Sequence, residues 1–253
     1  LKTRFAKTAR AADKPQDFFR NIAPVSGRKN QMDAVAELFE SIRTGDTENV
    51  RSLCAANSEI VNARNARGQS AVLMACYTGR KEIRDVLVEN GATLELHEAA
   101  AAGNLARVKE IVGANPELAK SYSPDGFPVL ALAAAFGHED VAQYLHSQGA
   151  DINAIATNGT AYTGLTGAVA SGHASIAQWL AENGADVNYR YGKGHSPLLE
   201  AVVNGRLDIV KILVTHGADR HARTDDGKTA LAFAQERGHR EVAKYLHELG
   251  LTP

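Results

Sequence analysis

Residues 196–219 read SPLLEAVVNGRLDIVKILVTHGAD, and the two glycines in that stretch, Gly205 and Gly217, decide the fold. Between them Ile209, Ile212 and Leu213 fall at i, i+3 and i+4, the spacing that lays apolar side chains along one face of a helix. The same interval of twelve residues separates Gly79 from Gly91, Gly137 from Gly149, Gly172 from Gly184 and Gly238 from Gly250, with the same apolar pattern inside each pair. With Gly45 and Gly103 added, the first members run 45, 79, 103, 137, 172, 205 and 238, at intervals of 34, 24, 34, 35, 33 and 33 residues. Only a stacked repeat array explains such a rhythm. The second glycine of each pair marks a helix end, where left-handed backbone is cheap without a β-carbon.

Inside this frame the motifs resemble those of the ankyrin repeat, a unit of about 33 residues built from a β-turn and two antiparallel helices. Ser196-Pro197-Leu198 with Ala201, Gly205 and Gly217-Ala218-Asp219 carries the likeness, as does Thr229-Ala230-Leu231 with Ala234, Gly238-His239 and Gly250. Gly-His recurs at 137–138, 172–173 and 238–239, and Gly-Ala-Asp at 149–151, 184–186 and 217–219. The family's Thr-Pro-Leu-His is nowhere intact. Its His position holds Leu73, Ala131, Thr166, Leu199 and Ala232, and a histidine only at His97. The resemblance implies an all-α solenoid of about seven helix-turn-helix units with short β-turn fingers. The units run roughly 32–65, 66–93, 94–122, 123–155, 156–190, 191–222 and 223–253, behind a basic N-terminal arm at 1–31.

One joint departs from the pattern. From Gly91 to Leu96 is a step of five residues, where Gly184 to Leu198 and Gly217 to Leu231 each take fourteen, so one finger is expected to be deleted between units two and three. A notch in the finger row follows from that reading, wide enough for the arm or a partner to cross. Asn57-Ser58-Glu59-Ile60 is echoed at an offset of 58 by Asn115-Pro116-Glu117-Leu118, as though two units had been duplicated together.

Of the 253 residues 44% are hydrophobic, yet no apolar run reaches the 18 or so residues that a membrane span requires. The two cysteines, Cys54 and Cys76, form no Cys-x-x-Cys pair and fall on helices of adjacent units. They read as small buried side chains in a reducing compartment. Charge is unevenly spread: residues 1–31 hold eight basic and two acidic residues, a local charge of +6, leaving −7 on the rest of a chain whose net charge is −1. The expectation is a cytoplasmic protein, monomeric by itself; because Leu1 is not a start methionine, export or an organellar address stays open.

Nine histidines invite a metal or acid–base reading. His138, His173 and His239 occupy the Gly-His turn, His97 the helix entry, His146 and His247 outer-helix faces, and His216 and His221 flank a turn. His97-Glu98 opens like a zinc-protease helix, but Ala101 stands where the second histidine is needed. Gly159, Gly164 and Gly167 lack the Lys-Ser/Thr of a phosphate loop. No serine elbow, facing carboxylate pair or nucleophile with an assigned base emerges. The reading is a non-enzyme without cofactor or metal.

Surface is what remains. In the family that the chain resembles, partners are held by the fingers and by the two residues before each mid-repeat glycine, on a concave face. That rule implies Gln69, Tyr77, Phe127, Phe136, Tyr162, Ser171, Tyr191, His195, Asn204, Lys228 and Arg237 as partner-binding residues. Phe127, Tyr162, Tyr191 and His195 are expected to project from fingers over a floor of Ala135, Ala170 and Ser171. Exposed aromatic clusters mark interfaces, so the expected partner is a protein or peptide. Two alternatives accompany it: nucleic-acid or acidic-surface binding through the arm, and inhibition of a cognate enzyme through the same face.

Overall fold

The computed structural model describes residues 31–252. The arm, apart from Gln31, lies outside the described residues. Among the described residues fourteen α-helices follow one another in seven consecutive pairs: α1 (Gln31–Thr44) and α2 (Thr47–Ala56), α3 (Ala71–Tyr77) and α4 (Lys81–Glu89), α5 (Leu96–Ala102) and α6 (Leu105–Ala114), α7 (Val129–Phe136) and α8 (Glu139–Ser147), α9 (Gly164–Ser171) and α10 (Ala174–Glu182), α11 (Pro197–Val203) and α12 (Leu207–Thr215), α13 (Ala230–Glu236) and α14 (Arg240–Glu248). Short 3-10 helices, Ser58–Asn62 and Pro116–Lys120, follow α2 and α6. No sheet forms among the described residues: β pairing is limited to the isolated bridges Arg64–Ser70, Tyr122–Pro128, Tyr191–His195 and Arg223–Thr229 at the finger bases.

Odd-numbered helices stack on one another to make an inner row, and the even-numbered helices pack outside them. Small residues set the inner spacing. A β-carbon on Gly167 would stand 3.1 Å from the Ala135 β-carbon, and one on Gly164 would stand 2.9 Å from Leu130, so α9 lies tightly against α7. From the outer row Ile83, Val86, Leu87, Val141, Leu145, Ile176, Leu180, Ile209 and Leu213 bury their side chains against this stack. At finger-to-helix entries the hydroxyls of Ser70, Thr163, Ser196 and Thr229 accept the backbone N–H of Leu73, Thr166, Leu199 and Ala232. Each such cap is worth about 1 kcal/mol. Cys54 and Cys76 are free thiols buried in the stack, and burial pushes the Cys76 thiol up to about 12.

The residue after five of the seven mid-repeat glycines joins neighbouring pairs. His138 Nε2 lies 3.1 Å from the Ala101 carbonyl, His173 Nε2 3.2 Å from that of Ala135, and His239 Nε2 3.0 Å from that of Val203. Arg206 Nη1 donates to the Gly172 carbonyl at 2.7 Å and Arg80 Nη2 to that of Arg43 at 3.1 Å. Each side chain satisfies a carbonyl left open at the end of the preceding inner helix. A glycine is needed beneath it: at Gly103 the φ is +75° and a β-carbon would sit 2.3 Å from the His138 ring. Asp46 and Asn104 hold the same position but turn inward, capping their own helices at Asn49 N and Arg107 N. No atom lies within 4 Å of a β-carbon placed on Gly79, so the joint between α3/α4 and α5/α6 lacks this tie. A cleft of about 410 Å³ opens beside it, lined by Arg84, Asp85, Val88 and Glu89 on α4 and by residues 102–105.

Only residues 90–95 connect α4 to α5, and no β-bridge forms there. The notch expected in the finger row is nevertheless closed. Gln69 Nε2 and Tyr77 OH both donate to Asp125 Oδ2, at 3.2 and 2.6 Å, across 56 and 48 residues of chain. Size is the reason. Where the neighbouring inner helices end in Tyr77 and Phe136, α5 ends in Ala101 and Ala102, and the larger groups meet over it.

Candidate partner-binding site

The finger ends of the inner helices carry two aromatic clusters. In the first, the Tyr77 ring lies 6.5 Å from Phe127 and 5.6 Å from Phe136, centroid to centroid. Asp125 anchors it, since the Ser123 hydroxyl donates to its second oxygen at 2.6 Å while Gln69 and Tyr77 hold the first. Burial, followed by the Asp125 charge, drives the Tyr77 phenol well above its ordinary value, so it remains a donor.

The second cluster spans α9 to α13. Tyr191, in the finger before α11, is its hub: Tyr162 meets it edge-on at 5.5 Å, Tyr189 stacks on it at 6.2 Å, and His195 lies at 6.3 Å. His195 in turn contacts Phe233 at 6.0 Å, and Lys228 Nζ sits 4.7 Å above the centre of the Phe233 ring. Beneath the hub is Glu200 on α11, a carboxylate 7% exposed. Its oxygens accept Asn204 Nδ2 at 2.9 Å and, at a long 3.4 Å, Tyr191 OH. Burial chiefly, helped by the Glu200 charge, pushes the Tyr162 phenol up to about 12 and the Tyr191 phenol well above its ordinary value.

Sequence-derived candidates separate on exposure. Ser171 and Arg237 are exposed; Phe127, Phe136, Tyr162, His195, Asn204 and Lys228 are half-buried. Gln69, Tyr77 and Tyr191 are buried. Tyr191 therefore does not project from its finger as expected: the short Tyr191–His195 turn folds the ring back onto Glu200, where it becomes the floor that Tyr162 and His195 stand on. Tyr77 and Gln69 face Asp125. Tyr162 has no hydrogen-bond partner for its hydroxyl among the described residues, and the His195 Nδ1 is buried without one. Among the described residues, no group of three or more His, Cys, Asp or Glu is placed to hold a metal, and no helix is long and apolar enough to cross a membrane.

Sequence reasoning missed Glu200 and Phe233; it placed Asp125 on the partner face and missed its link back to Gln69 and Tyr77. A signal for Glu200 was present: five residues before the mid-repeat glycine four units carry Met74, Leu132, Gly167 and Phe233, while Glu40, Glu98 and Glu200 place a carboxylate at this register. Glu40, in the first unit, is exposed, and Glu98 and Glu200 are buried. The Asp125 link gave no such signal, because Gln69 and Tyr77 come from a unit that is not its neighbour. A family model described as Ankyrin repeats (3 copies) matches residues 96–191 and 165–253, together more than half of the chain.

Proposed function

Because this chain belongs to the ankyrin repeat family, whose repeats are generally protein–protein interaction modules, we propose that it captures a protein partner by recognition without chemistry. The partner lies along the finger face of α7 to α13, as a peptide or an exposed segment of a folded protein. Carrying this reading is the second aromatic cluster. It combines half-buried rings with polar groups that the fold itself leaves without partners, on helices held at both ends by caps and by the His173, Arg206 and His239 ties. Half-buried aromatic groups on a rigid base are the usual anchors of interfaces. The fingers and inner helices supply seven such units in all, and the short α4–α5 link is where one finger has been lost.

Affinity capture from extracts of the native host tests the reading. Wild-type protein is compared with a Tyr162→Ala variant and with an outer-helix control, Gln143→Ala with Lys211→Ala. Truncating a true anchor costs on the order of 2 kcal/mol, about thirty-fold in affinity. A set of captured proteins lost with the aromatic variant and kept with the control supports the reading. Capture that survives the aromatic variant and disappears on deletion of residues 1–31 moves recognition to the basic arm.

A further inference from the structure

We propose that the partner presents a lysine side chain to Glu200, its stem lying along the rings of Tyr162 and Tyr191. This rests on the finger-face reading and adds the chemistry of the anchor. Among the described residues only three side chains of the Asp, Glu, His, Lys and Arg types are buried: His97, Glu98 and Glu200. Glu98 has a cation, Arg64 Nη2, at 3.1 Å. Glu200 makes no ion pair among the described residues, and both of its hydrogen-bond donors, Asn204 and Tyr191, are neutral. A carboxylate this far from water is normally paired, since its desolvation is offset only by an opposite charge or several hydrogen bonds. One of its two hydrogen bonds, at 3.4 Å, is long.

The next repeat shows the arrangement filled. Lys228 stands ten residues before Gly238, as His195 stands ten before Gly205. Its ammonium lies over the Phe233 ring at 4.7 Å and pairs with Glu236, a carboxylate and an aromatic face around one cation. One unit earlier the carboxylate and the rings are present, but the finger residue is His195 in place of a lysine. Acceptors dominate what is left open: the second carboxylate lone pairs of Glu200, the Asn204 Oδ1 whose amide nitrogen is already used, and the ring faces. A cation with N–H donors complements them, and the ring faces attract it through their quadrupoles. Lys228 fills the equivalent finger position of the next repeat, and an ammonium is a compact point charge on a slim stem where a guanidinium is a wider planar fork, so the occupant is a lysine.

The test is selection of a phage-displayed random linear peptide library on the full chain, followed by affinities for the selected peptides. Expected is one shared lysine whose change to norleucine weakens binding at least tenfold on the wild type and less than twofold on Glu200→Gln; change to arginine weakens it at least threefold. Circular dichroism checks that the variant folds, and the norleucine peptide on the wild type decides the matter if it does not. Peptides that lose affinity on Tyr162→Ala but share no lysine overturn the lysine anchor and leave the finger-face reading standing. A shared arginine transfers the site to guanidinium and overturns lysine. Peptides indifferent to Tyr162→Ala, or no binders at all, contradict both.

Discussion

The two aromatic clusters draw on the same residue types at comparable positions, and they differ in whether their polar atoms are satisfied. Around Tyr77, three donors converge on Asp125, and the rings of Phe127 and Phe136 close over the alanines of α5. Around Tyr191, a buried carboxylate has two neutral donors, and the Tyr162 hydroxyl and His195 Nδ1 go without partners among the described residues. Burial of polar groups is favourable only when they are paired. The first cluster is therefore complete in itself and ties the second helix pair to the fourth across a joint that has neither finger bridge nor carbonyl tie. The second is left to be completed from outside. An aromatic residue on a repeat surface is a recognition element only when the fold has not already used it.

The largest expected effects separate floor from anchor within the second cluster. Tyr191→Ala removes a buried ring that touches three others and should lower the unfolding free energy by about 3 kcal/mol, whereas Tyr162→Ala should cost about 1 kcal/mol. Urea unfolding followed by circular dichroism compares them, and equal losses would mean that Tyr162 is core as well. Within the first cluster, Asp125→Ala removes the acceptor that the Tyr77 hydroxyl and the Gln69 amide share and should cost about 2 kcal/mol; Tyr77→Phe, which removes one hydrogen bond to a carboxylate, about 1.5 kcal/mol. If either change weakens partner binding while leaving stability intact, the division between the clusters is wrong.

Acid provides a smaller handle on the same contrast. Burial holds His97, His138 and His173 below the ordinary value of 6.5, so each is neutral in the fold. The unfolded chain then binds protons that the folded one does not. Stability on this account is full above about pH 6.5, declines as pH falls below it, and stops declining once the folded-state rings titrate too. Amide exchange should rise first in α5 to α8, and His138→Gln should flatten the dependence. Faster exchange confined to α11 to α14 would contradict it.

Much of this was legible in the sequence, because a repeat fixes register. The glycines at 79, 137, 172, 205 and 238 place each helix junction, and the helices begin and end around them. The tie between pairs was half legible: Gly-His announced it at 138, 173 and 239, but Arg80 and Arg206 perform it with a different side chain, and Asn104 sits in the same place and does not. Register assigns a position without assigning a direction. Tyr191 was placed in a finger and turned inward because Glu200 and Tyr162 offer it a buried seat. Gln69 and Tyr77 were placed on the partner face, and Asp125 engages them because the short α4–α5 link lets non-adjacent units meet.

The difference between the clusters comes to its sharpest test in the affinity of a captured partner, measured by titration calorimetry against wild type, Tyr162→Ala and Tyr77→Phe. Recognition through the α9–α13 cluster predicts a dissociation constant about thirty-fold higher for Tyr162→Ala and within twofold of wild type for Tyr77→Phe. Unchanged affinity in Tyr162→Ala, or a loss in Tyr77→Phe as large as the one expected at Tyr162, would contradict it.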